Sequence, residues 1–205
     1  ISLGLVGSEM CIRDSSSTAN GSGSLALGSQ ASSGASQVIS IPQPDDEDGN
    51  PVDPIEITRS TTNTIAIGYK ANAGIFDSTN DVAVGNGSIA VGVLSMAQND
   101  GSIAIGARAS ATANNSIAAG ADSNASGINA TTYGDSSVAS GVNATALGIK
   151  ANASGNDSIS LGSLSKANQG AAIALGHQAN ATGFRTIAIG AGSKSNAPCA
   201  LAIGW

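Results

Sequence analysis

The residue types that could do chemistry in this chain are few and scattered. Its one histidine, His177, follows Gly176 at a turn position. An imidazole there could serve as a base or a metal ligand, but no second ligand or nucleophile sits at a matching spacing. Cys11 and Cys199 lie at opposite ends of the chain and define no disulfide framework. The densest charge is Asp45-Asp46-Glu47-Asp48, flanked by prolines. No nucleophile–base pair, His/Cys cluster or phosphate loop can be assembled, so no catalytic, cofactor-binding or metal residue is assigned. His177 is read as a solvated turn residue and the chain as no enzyme. Gly-x-Gly spacings recur, but as repeat turns rather than as a dinucleotide fingerprint. Calcium-binding nonapeptides carry an Asp in each glycine-rich turn, and these turns lack it. The chemistry left is weak hydrogen bonding repeated at fixed intervals, which belongs to a surface rather than to one pocket.

The interval is set by glycine. Gly92, Gly106, Gly120, Gly134, Gly148, Gly162, Gly176, Gly190 and Gly204 are spaced by fourteen residues without a slip. Most follow a short alternation, such as Ser-Ile-Ala-Ile at 102–105 or Thr-Ile-Ala-Ile at 186–189. A sustained period of this kind means a solenoid. Half a repeat on, Gly127, Gly141, Gly155 and Gly183 mark a second corner. Two period-two stretches separated by glycine corners predict two short strands per coil, each of about five residues. A helix is disfavoured, because each interior glycine costs it roughly 1 kcal/mol. Stacked coils would pair as parallel strands about 4.8 Å apart. So thin a coil cannot hold large side chains from both strands. Ile and Leu are therefore expected inside, over Ala of the opposite strand. The remaining row, Ala104, Ala118, Ala174, Ala188 and Ala202, is expected to form a flat outer face packed against another chain. Tyr133 is expected at the surface or a seam.

Composition bounds the function. Aromatics are 2% of the 205 residues and glycine supplies 27, so no bulky core can form. Charged residues are 11%, yet mean hydropathy is slightly positive, unlike a disordered polar chain. No apolar run reaches the roughly eighteen residues of a membrane-spanning helix, so direct membrane contact is not expected of this segment. The net charge is −6, and no basic stripe exists. Nucleic-acid binding is not expected.

The period exposes what does not belong to it. Residues 1–14 fit neither the repeat nor a signal peptide, and are read as a segment foreign to the protein, with a short native linker as the alternative. Residues 15–205 are read as the solenoid, cut from a longer protein because no polar cap follows Gly204. Between Gly28 and Gly68 lies one repeat plus an insert of twenty-six residues. Its apolar runs and prolines predict a β-hairpin with an acidic loop over 38–59, either merely solvated or an adhesive arm. Gly68 to Gly85 is read as a repeat plus three residues, and Gly85 to Gly92 as half a repeat.

Asp81-Val-Ala-Val-Gly-Asn-Gly-Ser-Ile-Ala-Val-Gly92, then Ser95-Met-Ala97 and Gly101-Ser-Ile-Ala-Ile-Gly-Ala-Arg-Ala109, closely resemble the heads of YadA-like trimeric autotransporter adhesins. Asn115-Ser-Ile-Ala-Ala-Gly-Ala-Asp-Ser123 is the closest single copy of that family's repeat, departing at Ala119. The resemblance covers roughly residues 22–205. It implies an all-β, left-handed parallel β-roll packed side by side as a homotrimer. It also implies display at the bacterial cell surface, as an exported passenger held by a stalk and a C-terminal outer-membrane barrel that lie downstream. It implies adhesion to collagen, other extracellular-matrix proteins or other cells through a repeated surface, with no cofactor. Carried over by position, the ligand-contacting candidates are Asn115, Ser116 and Ser123, with Ser88, Ser95, Ser102, Ser158 and Ser165 at equivalent places. The same groups could instead satisfy turn backbone.

Other classes fit less well. A hexapeptide acyltransferase needs an eighteen-residue coil and a catalytic histidine between subunits. An ice-binding solenoid needs a regular threonine ladder, which Thr131, Thr132 and Thr145 do not make. A β-solenoid segment of a surface or phage fibre, without a ligand of its own, remains the alternative to an adhesin head.

Overall fold

The computed structural model describes residues 3–4, 10–12, 17–20, 23–34, 36–41, 55–77 and 82–204. Two sheets run the length of the solenoid, of thirteen and eleven strands among the described residues. Within the regular coils each strand pairs in parallel with the strand one coil on, in strict register. Ile103, Ala104 and Ile105 face Ile117, Ala118 and Ala119, and Ser110 and Ala111 face Asn124 and Ala125.

One coil shows why the sequence turns where it does. The strand Ile103–Ile105 ends at Gly106, and the turn closes with Ala109 N–H donating to the Gly106 carbonyl at 3.3 Å. The two-residue strand Ser110–Ala111 follows. A second turn closes with Ser116 N–H on the Ala113 carbonyl at 3.2 Å. In both turns the third residue is left-handed, Arg108 at φ 57° and Asn115 at φ 55°, the signature of a type II turn. The strands are three and two residues long, shorter than expected, because the turns take the rest of the coil. Coil-to-coil bonding continues through the corners, where Gly106 N–H donates to the Val91 carbonyl and Arg108 N–H to that of Val93, each at 2.8 Å.

The glycine that opens the first turn is required twice over. Gly92, Gly106, Gly120, Gly134, Gly148, Gly162, Gly176, Gly190 and Gly204 all have φ between 117° and 139°. That region is closed to L side chains. At Gly106 a β-carbon would also lie 2.6 Å from the Gly120 carbonyl oxygen of the next coil.

The interior reverses the sequence expectation. Ala104, Ala118, Ala174 and Ala188 are fully buried, as are Ala111, Ala125, Ala139, Ala153, Ala167 and Ala181 of the opposite strands. Ile and Leu face outward, with Ile105 47% exposed. The space between two- and three-residue strands admits the side chains of Ala and Ser and, at Thr132, Thr, but no larger group among the described residues, so size outranks hydrophobicity in choosing the inward row. In Ile-Ala-Ile the alternation was recognised with the wrong phase, and a one-residue shift of phase exchanges the two faces. The outer surface of this sheet is consequently the Ile/Leu row, not the Ala row.

The first coils carry two antiparallel hairpins. Ser36–Ile41 pairs with Ile55–Ser60 where the acidic arm was expected, and the acidic run itself lies outside the described residues. Leu25–Leu27 pairs in register with Ile65–Ile67 across this insertion. The second hairpin, Ile75–Asp77 with Val82–Val84, corrects the expected spacing after Gly68. Ile65 pairs with Ile89, so Val82-Ala-Val-Gly85 is the return arm of an insertion and not a strand of the solenoid sheet. Near the start, Met10–Ile12 pairs in parallel with Leu25–Leu27, a strand before the boundary drawn at residue 15.

Candidate functional site: a repeated surface

The serines singled out from the repeat turn inward. Ser88, Ser95, Ser102, Ser116, Ser123, Ser158 and Ser165 are all fully buried. Five donate to the carbonyl that opens their own turn: Ser95 to Gly92, Ser102 to Asn99, Ser116 to Ala113, Ser123 to Gly120 and Ser165 to Gly162, at 2.5–2.9 Å. Ser88 and Ser158 have no side-chain hydrogen-bond partner among the described residues. The five bonded hydroxyls hold turns shut rather than facing solvent, a use the pattern also allowed. Of the eight candidates only Asn115 is exposed.

Asn115 belongs to an array the sequence reading missed. Its amide nitrogen donates to Asn129 Oδ1 at 3.4 Å, that of Asn129 to Asn143 Oδ1 at 3.0 Å, and that of Asn143 to Asp157 Oδ1 at 2.9 Å. All four residues are left-handed, with φ of 55–58°. Asn and Asp tolerate that conformation best after glycine, so the recurrence of Asn at this offset was the available signal. On the other edge Arg108 grips Asp122 one coil on, Nε to Oδ1 at 2.5 Å and Nη2 to Oδ2 at 2.6 Å. The hydrogen bond from Arg108 holds the Asp122 carboxyl below the usual range, and the same bond raises Arg108. Two cations lie over aromatic rings, Lys70 at 5.3 Å from the Tyr69 centroid and Arg185 at 5.0 Å from that of Phe184.

The two outer sheet faces differ sharply. On one, Ile103, Ile117, Thr131, Thr145, Ile159, Ile173 and Ile187 form one column beside Val91, Ile105, Ala119, Tyr133, Leu147, Leu161, Leu175 and Ile189 in the other. Tyr133 lies on this face, 67% exposed, as expected of a surface or seam residue. The other face presents Ser110, Asn124, Val138, Asn152, Lys166, Asn180 and Lys194 in successive coils. His177 is an exposed turn residue, and Cys199 is a free, exposed thiol. Among the described residues no group of three or more His, Cys, Asp and Glu comes together. The described coils repeat two contrasting surfaces.

Residues 62–95, 83–109, 97–123, 139–165, 167–193 and 181–205 each match the model of the YadA head domain repeat, and together they span well over half the chain. Among solved structures, the chain is similar to the collagen-binding domain of the Yersinia adhesin YadA. That match has 28% identity and a TM-score of 0.49, covering 82% of this chain and 80% of that one. No curated protein matches.

Proposed function

Because the chain belongs to the YadA head domain family, we propose that it is the head of a trimeric surface adhesin, a left-handed β-roll that holds host matrix proteins or other cells. The observation that carries this reading is the contrast between the two outer faces. Exposed apolar columns of this length are rare on a solitary chain and mark an interface. Ile105 is 47%, Leu147 38% and Tyr133 67% exposed on the single chain, so packing three Ile/Leu faces together removes them from water. That leaves the Asn, Ser and Lys face outward on each copy. Many weak contacts along a repeated face then sum through avidity.

The test is binding of the chain, fused to a trimeric coiled coil, to immobilised collagen, fibronectin and laminin. Binding to at least one, falling steeply when the same chain is made monomeric, is the expected outcome. A stable trimer that binds none of them, and does not self-associate between particles, would make the chain a fibre segment without a ligand.

A further inference from the structure

The charge of this chain is divided along its length. All 14 Asp and Glu residues lie at or before Asp157, whereas Lys166, Arg185 and Lys194 follow it. The last coils are therefore cationic within a chain of net charge −6. On the polar sheet Lys166, Asn180 and Lys194 pair in register on successive coils. The two lysines thus stand on one face, two strand spacings or about 9.6 Å apart. Alongside them, Leu164, Gln178 and Gly192 complete the lining of a groove of about 320 Å³.

Gly192 opens that groove. It has φ 69°, and no atom lies within 4 Å of where its β-carbon would be. Leu164 takes φ 60° at the equivalent turn position two coils earlier. The turn therefore accepts a side chain, and the glycine leaves room above the lysine column.

The geometry points to an acidic peptide segment in the polyproline II conformation as the occupant of this groove. Such a chain has three residues per turn and a rise of about 3.1 Å, so every third side chain recurs on one face at about 9.3 Å. Carboxylates at i and i+3 then meet Lys166 and Lys194 together. An extended strand repeats a face every two residues, at about 6.8 Å, and fits the lysine spacing poorly. Polyproline II backbone makes no internal hydrogen bonds. Gln178 and Asn180 line the groove between the lysines and supply polar side chains beside it. The inference rests on the proposed adhesive role, in that the polar sheet must face solvent in the assembled head.

The experiment uses the full chain as a trimer and a surface-bound peptide of repeated Pro-Pro-Glu triplets. A Pro-Pro-Gln peptide and heparin, a sulfated polysaccharide, are run in parallel. Binding to Pro-Pro-Glu but not to Pro-Pro-Gln is expected. K166E/K194E should weaken it roughly tenfold or more, since two charge pairs become repulsions. G192L should weaken it comparably with the charge intact. R185E, on the opposite turn edge, should leave it unchanged. No Pro-Pro-Glu binding, or binding equal in K166E/K194E, overturns the inference. So does heparin binding that depends on the two lysines without peptide binding, which assigns the column to a polysaccharide. Binding to matrix proteins without Pro-Pro-Glu binding sinks the groove and leaves the adhesive role standing. Pro-Pro-Glu binding that depends on the lysines, with no matrix binding, does the reverse.

Discussion

The hydroxyls of Ser160 and Ser165 meet at 2.6 Å inside the alanine interior of the solenoid. Ser160 stands where the neighbouring coils place Ala146 and Ala174. Ser165 also donates to the Gly162 carbonyl at 2.7 Å, so its proton is committed and Ser160 must be the donor between the two. A polar residue entered this row together with an acceptor that the turn already supplied.

The pair therefore predicts an asymmetry. Ser165→Ala strands the buried Ser160 hydroxyl and should cost about 1–3 kcal/mol. Ser160→Ala restores the row's usual residue and should be close to neutral. The double substitution should be milder than Ser165→Ala alone. Denaturant unfolding at fixed protomer concentration measures all three, and a Ser160→Ala cost equal to that of Ser165→Ala would contradict the pairing.

Two glycines with positive φ should respond very differently to alanine. Gly106→Ala drives a methyl into the Gly120 carbonyl and imposes a φ of 130°, so about 3 kcal/mol or more is expected, with lost folding as the extreme. Gly192→Ala meets open space and should cost about 1 kcal/mol, the ordinary penalty of the left-handed region. Comparable melting temperatures for the two variants would show that stacking against the next coil is not what excludes a side chain.

Reading the sequence recovered the period, the corners and the parallel stacking, because glycine marks the first corner of every regular coil and the second corner of several, and only backbone sterics are involved. It misplaced Ile103, Ile105 and their equivalents, because hydrophobicity sends them inward while the width of the coil admits only Ala104. That width follows from strand lengths that composition does not state. Gly68 to Gly85 was read as a repeat plus three residues because Val82-Ala-Val-Gly85 copies the local motif, and only the antiparallel partner Ile75–Asp77 tells that segment from a coil strand. The buried serines were indistinguishable from exposed ones for the same reason as the alanines. A residue's face depends on a phase that the period alone leaves open.

Polar substitution on the apolar face should separate the chains without unfolding them. Ile105→Glu with Leu147→Glu places carboxylates on side chains that are 47% and 38% exposed in the single chain. Light scattering should report monomers, with the β-sheet circular dichroism retained. Asn124→Glu, on the opposite sheet, should leave the trimer intact. A trimer that survives the double substitution would move the interface elsewhere.

Acid should release the Arg108–Asp122 pair. The folded-state value of Asp122 lies below its ordinary one, so its contribution is present above the unfolded value and is lost as pH falls through the folded value. The loss therefore falls at the acid edge, below the ordinary aspartate value of about 3.9. Arg108 is shifted upward, so its contribution persists throughout the neutral and acid range. An NMR titration should find Asp122 below its ordinary value, and Arg108→Gln should return it toward that value. Both groups are exposed, so Asp122→Asn should barely change the melting temperature in high salt.

Register fixed at fourteen residues also bears on how such a protein changes over generations. Ile103 sits over Ile117 and Ala104 over Ala118, so duplicating or deleting one whole coil leaves every lateral bond with an equivalent partner. Gain or loss of whole fourteen-residue units then lengthens or shortens the rod in steps of about 4.8 Å. Insertions of other sizes must leave the stack and return to it, as those after Gly34 and Gly74 do. Length becomes a heritable variable that selection can adjust in small increments while the cross-section stays constant.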